Sequence, residues 1–232
     1  MKNARIRLLI IFILLIVGII PQKNIEAKNN ENSTDEFYPQ AMGVYQQWNF
    51  TTFSTSSSPT FADLDKDGLL EIIVGSDLSR IFCLNSLGYQ EWNFTTFSLV
   101  KTSPVIADLD GDNTLEILAN DFHYLYCIDH LGSQEWSYYT NPIASMGSSP
   151  AVADLDDDGT QEIIFGSGNS VFCISHTGSL EWSYSIGLSD VSSPCIADLD
   201  ADGTQEVIIG SFNGLVYCLS HIGTQEWNYT TG

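Results

Sequence analysis

An all-β fold, a β-propeller of four-stranded antiparallel blades, is predicted by three periodic features of this 232-residue chain. Trp48, Trp92, Trp136, Trp182 and Trp227 stand 44, 44, 46 and 45 residues apart. Pro59, Pro104, Pro150 and Pro194 keep nearly the same step, as do Cys83, Cys127, Cys173 and Cys218. Within each step, runs of about 5–8 β-branched or aromatic residues alternate with Gly, Asn, Asp and Ser, the pattern of strands and turns. Four such runs in ~45 residues make one blade, which buries both faces of its sheet only by stacking on its neighbours. Apolar residues of both parities in Glu206-Val207-Ile208-Ile209 fit a strand covered on both sides.

The chain opens outside this architecture. Lys2, Arg5 and Arg7 precede an apolar run from Leu8 to Ile20, and Ile25-Glu26-Ala27 offers a small residue at a cleavage position. Residues 1–27 therefore read as a secretory signal peptide. The run of 13 residues is short of the ~20 that span a bilayer, and an uncleaved N-terminal anchor is the alternative. Residues 28–42, opening Lys-Asn-Asn-Glu-Asn-Ser-Thr-Asp-Glu, read as a disordered linker. The predicted localisation is secreted or cell surface.

A lone strand of the kind that ends a blade is expected at 44–52, followed by blades at about 59–97, 104–141, 150–186 and 194–231. In the first blade, strand A follows Ser57-Ser58-Pro59 and an acidic loop joins it to strand B (Glu71 to Ser76). Strand C covers Ile81 to Leu84, and a Leu87-Gly88 turn leads to strand D from Glu91 to Phe97. A β-solenoid is the competing repeat fold, but its parallel strands would not need these hairpin turns. Four complete blades plus a spare D strand leave two closures open. One is an arc of a larger propeller; the other is a closed four-blade ring in which the first D strand completes the last blade. An arc would expose the broad apolar flank of its last blade and self-associate through that open edge.

The acidic loop recurs four times as Ala-Asp-Leu-Asp-x-Asp, then Gly or Asn, two residues and Glu. Carboxylates at positions 1, 3, 5 and 9, with a carbonyl at 7, suit a hard, oxygen-seeking cation, and Ca²⁺ is the predicted cofactor. The candidate ligands are Asp63, Asp65, Asp67, Leu69 and Glu71 in the first loop and Asp108, Asp110, Asp112, Thr114 and Glu116 in the second. The third offers Asp154, Asp156, Asp158, Thr160 and Glu162, and the fourth Asp198, Asp200, Asp202, Thr204 and Glu206. Asp, Asn and Gly are common in ordinary turns, yet such a turn has no use for three Asp and a Glu packed together. An EF-hand places its bidentate Glu at position 12, so it is not the frame. The second loop carries Asn113 at position 6 and is expected to bind more weakly.

Repeated Asp-Leu-Asp-x-Asp-Gly-x-x-Glu loops between the first two strands of a blade resemble the FG-GAP/VCBS repeats of integrin α subunits and many secreted microbial proteins. The resemblance covers residues 59–232 and implies that the matching positions ligate calcium on one face of a propeller, where the cation stabilises the loop. The Phe-Gly and Gly-Ala-Pro parts of that signature are absent here. The Gly-x-x-x-Trp endings, from Gly88 to Trp92 and at the three equivalent places, are similar to those of PQQ-type propeller repeats.

Charge narrows the function classes. The sequence holds 8 basic and 29 acidic residues, for a net charge of −21. Without its first 27 residues it keeps four basic against 28 acidic, or −24. A chain this acidic repels nucleic-acid phosphates and anionic lipid, so neither nucleic-acid binding nor membrane insertion after signal removal is expected. The tryptophans read as packing anchors between blades. His130, His176 and His221 read as solvated turn residues, and only His123 breaks the repeat. The five cysteines read as free, buried small hydrophobes, since equivalent positions of successive blades lie beyond disulfide reach. The expected protein is non-catalytic, a secreted calcium-binding propeller presenting loops to an unidentified extracellular protein or glycan in adhesion or surface assembly. A secreted propeller enzyme, a polysaccharide lyase or quinoprotein dehydrogenase, is the alternative.

Overall fold

The computed structural model describes residues 48–52, 54–140, 148–187 and 190–231. The signal peptide, the linker and the first part of the lone strand lie outside the described residues. Sixteen strands form four sheets, each with its strands paired antiparallel in chain order. The first blade holds Thr60–Ala62 (β1), Glu71–Ser76 (β2), Arg80–Leu84 (β3) and Gln90–Thr95 (β4). The second holds Val105–Ala107 (β5), Glu116–Asn120 (β6), Tyr124–Ile128 (β7) and Gln134–Tyr139 (β8). The third is Ala151–Ala153 (β9), Glu162–Ser167 (β10), Ser170–Ile174 (β11) and Leu180–Ser185 (β12). The fourth is Cys195–Ala197 (β13), Glu206–Ser211 (β14), Leu215–Leu219 (β15) and Gln225–Thr230 (β16). None of the described residues is helical.

The register repeats from blade to blade. Cys83 faces Trp92 across the β3–β4 pair, and Leu84 faces Gln90, so Glu91 is the extra residue of a bulge. The same slip recurs beside Cys127, Cys173 and Cys218. A bulge twists the strand locally and re-aims one side chain; here the residue re-aimed is the Glu before each Trp.

Alternating residues of strands B and C send one set of apolar side chains to the preceding blade and the other set to the following one. Ile73, Ile81 and Cys83 meet Ile117, Tyr126 and Ile128 between the first two blades. Leu118, Leu125 and Cys127 meet Ile163, Phe165 and Ile174 at the next joint. Ile164, Val171 and Cys173 meet Val207, Ile209 and Leu219 at the third. Among the described residues the hydrophobic core is therefore three stacked joints, with a smaller cluster of Val74, Phe82 and Leu84 beside Phe50 on the first blade, rather than one centre.

Each joint is fastened at both ends. At the outer end the indole Nε1 of Trp92, Trp136 and Trp182 donates to the carbonyl of His130, His176 and His221 in the following blade, at 3.1, 2.8 and 2.8 Å. The same indole lies on that blade's turn glycine. A Cβ on Gly132 would come within 2.7 Å of the Trp92 ring, and Gly178 and Gly223 meet Trp136 and Trp182 as closely. These glycines also have φ near +80°, at 86°, 81° and 74°, so two constraints exclude a side chain there. At the strand-A end, the N–H of Ser58 donates to Ser103 Oγ, Ser103 to Ser149 and Ser149 to Ser193, at 3.2, 2.9 and 3.0 Å. This ladder accounts for the Ser before each proline.

β1 meets β5, β5 meets β9 and β9 meets β13, and the four blades form an open arc, not a closed ring. Of the expected lone strand, residues 48–52 carry no strand pairing. Strand D pairs with strand C of its own blade, and no described strand precedes β1 for this segment to join. Trp48 nonetheless packs on Gly88 and donates to Ser86 O at 3.2 Å, as a preceding blade's Trp would. Phe50 packs edge-on against Phe82, with ring centroids 5.3 Å apart.

Two further expectations are corrected. Cys195 is exposed, on a side of the fourth blade that no other described sheet covers; the other four cysteines are buried and all five are free. His130, His176 and His221 are half-buried rather than solvated. Their carbonyls serve the joint, which is why Ser86 can fill the same position in the first blade.

Candidate metal centre

The loop between strands A and B builds its own cage. In each copy the N–H of position 6 donates to the Asp at position 1: Gly68 to Asp63, Asn113 to Asp108, Gly159 to Asp154 and Gly203 to Asp198, at 2.9–3.2 Å. Closing so tight a ring needs left-handed backbone at position 6, with φ of 87°, 69°, 92° and 97°. Position 4 is left-handed too, at Lys66, Gly111, Asp157 and Ala201, which the variable residues there do not announce. Asn113 makes the same hydrogen bond as the glycines, so Asn at position 6 costs the second loop no contact.

Position 9 is fixed from the opposite side. Glu71, Glu116, Glu162 and Glu206 are at most 5% exposed. Their Oε2 atoms accept the N–H of Leu64, Leu109, Leu155 and Leu199 at 2.7–2.9 Å. In three copies the other oxygen is left for the loop, whereas Glu116 Oε1 accepts the Thr114 hydroxyl at 3.2 Å. Burial pushes the Glu71 and Glu116 carboxyls above the usual range, with neighbouring carboxylates adding to the rise and the leucine N–H opposing it. Burial likewise pushes Glu162 up to about 7, against the Leu155 N–H, with Glu181, Asp156 and Asp158 contributing repulsion. A buried acid surrounded by acids is costly unless a cation neutralises the group.

Positions 1, 3 and 9 converge. One oxygen each from Asp63, Asp65 and Glu71 lies within 4.8 Å of the others, and the sets Asp108/Asp110/Glu116, Asp154/Asp156/Glu162 and Asp198/Asp200/Glu206 do the same. Position 5 stands outside these groups. Asp112 Oδ1 accepts the N–H and hydroxyl of Thr114, and Asp158 and Asp202 do the same with Thr160 and Thr204. Asp67 accepts the Leu69 N–H at 2.7 Å. These bonds hold Asp112 below the ordinary carboxylate range through the Thr114 hydroxyl and N–H, and lower Asp158 and Asp202 through the N–H and hydroxyl of their threonines. Position 5 thus orients position 7, whose carbonyl (Leu69, Thr114, Thr160, Thr204) is the remaining expected donor.

The donor set fits calcium chemistry. Every side-chain donor is a hard carboxylate oxygen, as a Ca²⁺ site requires. Asp63 Oδ1 is buried with no hydrogen-bond partner, the state of an oxygen that a cation would satisfy.

A layer behind each loop went unread in the sequence. The bulge Glu accepts a hydrogen bond from the buried cysteine: Cys83 to Glu91, Cys127 to Glu135, Cys173 to Glu181 and Cys218 to Glu226, at 3.4–3.7 Å. Burial and the adjacent carboxylates push all four thiols far up, Cys218 to about 12, so they stay protonated. A buried, protonated thiol is a poor nucleophile. Between the third and fourth blades, Asp156, Glu162, Glu181, Trp182 and His221 line an open cavity of about 260 Å³. The repeated Glu-Trp pair beside an invariantly spaced Cys was the available signal for this layer. The His123 ring packs edge-on against Phe97 at 5.1 Å, and the His123 backbone N–H donates to the buried Asp121.

No family model matches the sequence, and no curated protein matches it. Solved structures do match. The Vibrio cholerae biofilm matrix protein Bap1 superposes with a TM-score of 0.60 at 24% identity, over 75% of this chain and 28% of that one. BamB from Moraxella catarrhalis gives 0.54 at 16% identity, over 69% of this chain and 49% of that one. The Pseudomonas aeruginosa PilY1 C-terminal domain gives 0.54 at 19% identity, over 75% and 43%. The chain thus spans half or less of the length of these three. At such identities the likeness speaks for the fold alone, and with the four antiparallel sheets it makes this chain an arc of a β-propeller.

Proposed function

We propose that this chain is a calcium-stabilised, non-catalytic extracellular propeller of FG-GAP/VCBS type, whose loops engage a protein or glycan in adhesion or surface assembly. The carrying observation is the fourfold convergence of three carboxylate oxygens, each group anchored by a buried Glu. Calcium would be held by the position 1, 3 and 9 carboxylates, with the position 7 carbonyl and water filling the shell. It would neutralise charge that otherwise opposes closure of the loop. The biofilm matrix role in the name of the Vibrio neighbour supports an extracellular setting, as does the signal-like leader.

The test is a pull-down from the surface of the source cell, with and without chelator, beside a turnover screen on acidic polysaccharides. Calcium-dependent capture without turnover is the expected result. Turnover of a polysaccharide would replace this reading with that of a secreted lyase.

A further inference from the structure

Strand D, the last strand of each sheet, carries a recurring polar triplet. It reads Asn93-Phe94-Thr95 in the first blade and Asn228-Tyr229-Thr230 in the fourth. Asn49-Phe50-Thr51, directly after Trp48, repeats it ahead of the first blade. Asn-x-Ser/Thr, with x other than proline, is the acceptor sequence for N-linked glycans. Asn93 faces Phe82 of strand C and Asn228 faces Tyr217, so the two asparagines hold equivalent places.

Alternation along the strand turns Asn93 and Thr95 to solvent and Phe94 into the joint, edge-on against Tyr126. All three acceptor asparagines and their threonines are exposed. Ser137 and Ser183 hold the same register in the second and third blades, and they too are exposed, with a blade on either side. Exposure at this register is therefore a property of the blade and does not depend on where the arc stops. The amide nitrogen is open as well. The Arg80 guanidinium donates to Asn93 Oδ1 at 3.2 Å; having only donors, it selects the oxygen and leaves Nδ2 to solvent. Nδ2 of Asn49 and of Asn228 has no partner among the described residues, whereas Asn120 and Asn213 use theirs in bonds to Ser148 and Tyr217.

We propose that Asn49, Asn93 and Asn228 carry N-linked oligosaccharides. The transfer joins Nδ2 to C1 of the first sugar and breaks the C1–O bond to phosphate in a lipid-linked oligosaccharide donor. The lipid phosphate leaves, and the amide proton passes to a base of the transferase. Strand D leaves one row of backbone N–H and C=O groups outside the sheet, the template on which β-edges associate. A bulky, solvated glycan beside that edge in β4 and β16 blocks such pairing. Transfer presupposes the extracellular reading above, because only an exported chain meets the transferase.

The test is glycopeptide mass spectrometry of the full chain recovered from the source cell and its medium. Expected is one oligosaccharide each on Asn49, Asn93 and Asn228, assigned site by site because Asn32-Ser33-Thr34, outside the described residues, is a further acceptor. Thr95→Val should lose the Asn93 glycan alone, and Thr95→Ser should retain it. Ser183→Asn completes the triplet with Tyr184 and Ser185 in the third blade and should add one glycan. These variants change exposed positions, and circular dichroism should show them folded like the native chain. An exported chain bare at all three sites overturns the proposal and leaves the extracellular reading standing. A chain found only inside the cell overturns both. An Asn93 glycan that survives Thr95→Val, or a Ser183→Asn chain without the added glycan, also overturns the proposal.

Discussion

In the second acidic loop glycine stands at position 4 and asparagine at position 6 (Gly111, Asn113); in the fourth, alanine and glycine hold those places (Ala201, Gly203). Both loops bring three carboxylates into one group, and both send the position 6 N–H to the first Asp. The backbone is left-handed at both positions in each, at 77° and 69° in the second loop and 63° and 97° in the fourth. What is held constant is the backbone and the oxygen set, while the residues that permit the backbone vary. An alanine with left-handed φ is tolerated at a cost of roughly 1–2 kcal/mol, which indicates that the loop is over-determined by the bonds around it. Their surroundings differ as well, since Leu109 is covered by the third blade and Leu199 by nothing described.

The largest expected effect ignores the difference between the two loops. With calcium at about ten times Kd, linkage contributes ~1.4 kcal/mol per site, so four sites contribute on the order of 5–6 kcal/mol. A typical domain has a net stability of ~5–15 kcal/mol. EDTA should therefore lower Tm substantially in a thermal melt, with Ca²⁺ restoring it better than Mg²⁺, whose octahedral demand suits a carboxylate cage poorly. A melt indifferent to chelator would leave the shared geometry without its explanation.

Smaller and more local is the loss of single sites. Asp110→Ala and Asp200→Ala each remove a carboxylate from one group and should each cost one calcium equivalent in a calorimetric titration. Asp157→Gly changes position 4 of the third loop, where glycine is native to the second, and should leave stoichiometry intact. Equal losses from all three would make the loops a diffuse counterion patch.

Backbone alone separates the next pair. Ala201→Gly should stabilise the chain by about 1 kcal/mol in denaturant unfolding, and Gly111→Ala should destabilise it by a similar amount. No heavy atom lies within 4 Å of a Cβ built on Gly111, so strain is the only cost and the comparison is clean. A loss on Ala201→Gly would refute the backbone account. The smallest effect belongs to Asn113→Gly. Asn already adopts the required conformation and keeps its bond to Asp108, so a change of only a few tenths of a kcal/mol is expected, with unaltered calcium stoichiometry.

Period and parity made the blades legible, because apolar residues on both faces of strands such as β14 have no use outside a stack. The oxygen donors at positions 1, 3 and 9 were legible for a similar reason, since four like charges in one turn demand an explanation. A repeat, however, shows that residues recur without showing which copies meet. Gly88 to Trp92 reads as one motif, yet Gly132 receives Trp92 and Gly88 receives Trp48. The Ser before each proline and the turn histidines were opaque for the same reason, because their work is done by a hydroxyl and a carbonyl across the joint. Cys195 is not buried as the repeat suggests, because no described sheet covers that side of the fourth blade. Position 4 was opaque because Lys66 and Ala201 are not residues that signal a left-handed turn.

The claim that the acidic loops hold calcium is tested most directly by counting it. Equilibrium dialysis of the full chain against calcium, with magnesium in excess in a parallel cell, gives the number of ions per chain. Four calcium ions, retained against magnesium, are the predicted result, one for each group of three carboxylates. A chain that retains none, or that exchanges calcium for magnesium without preference, would contradict it.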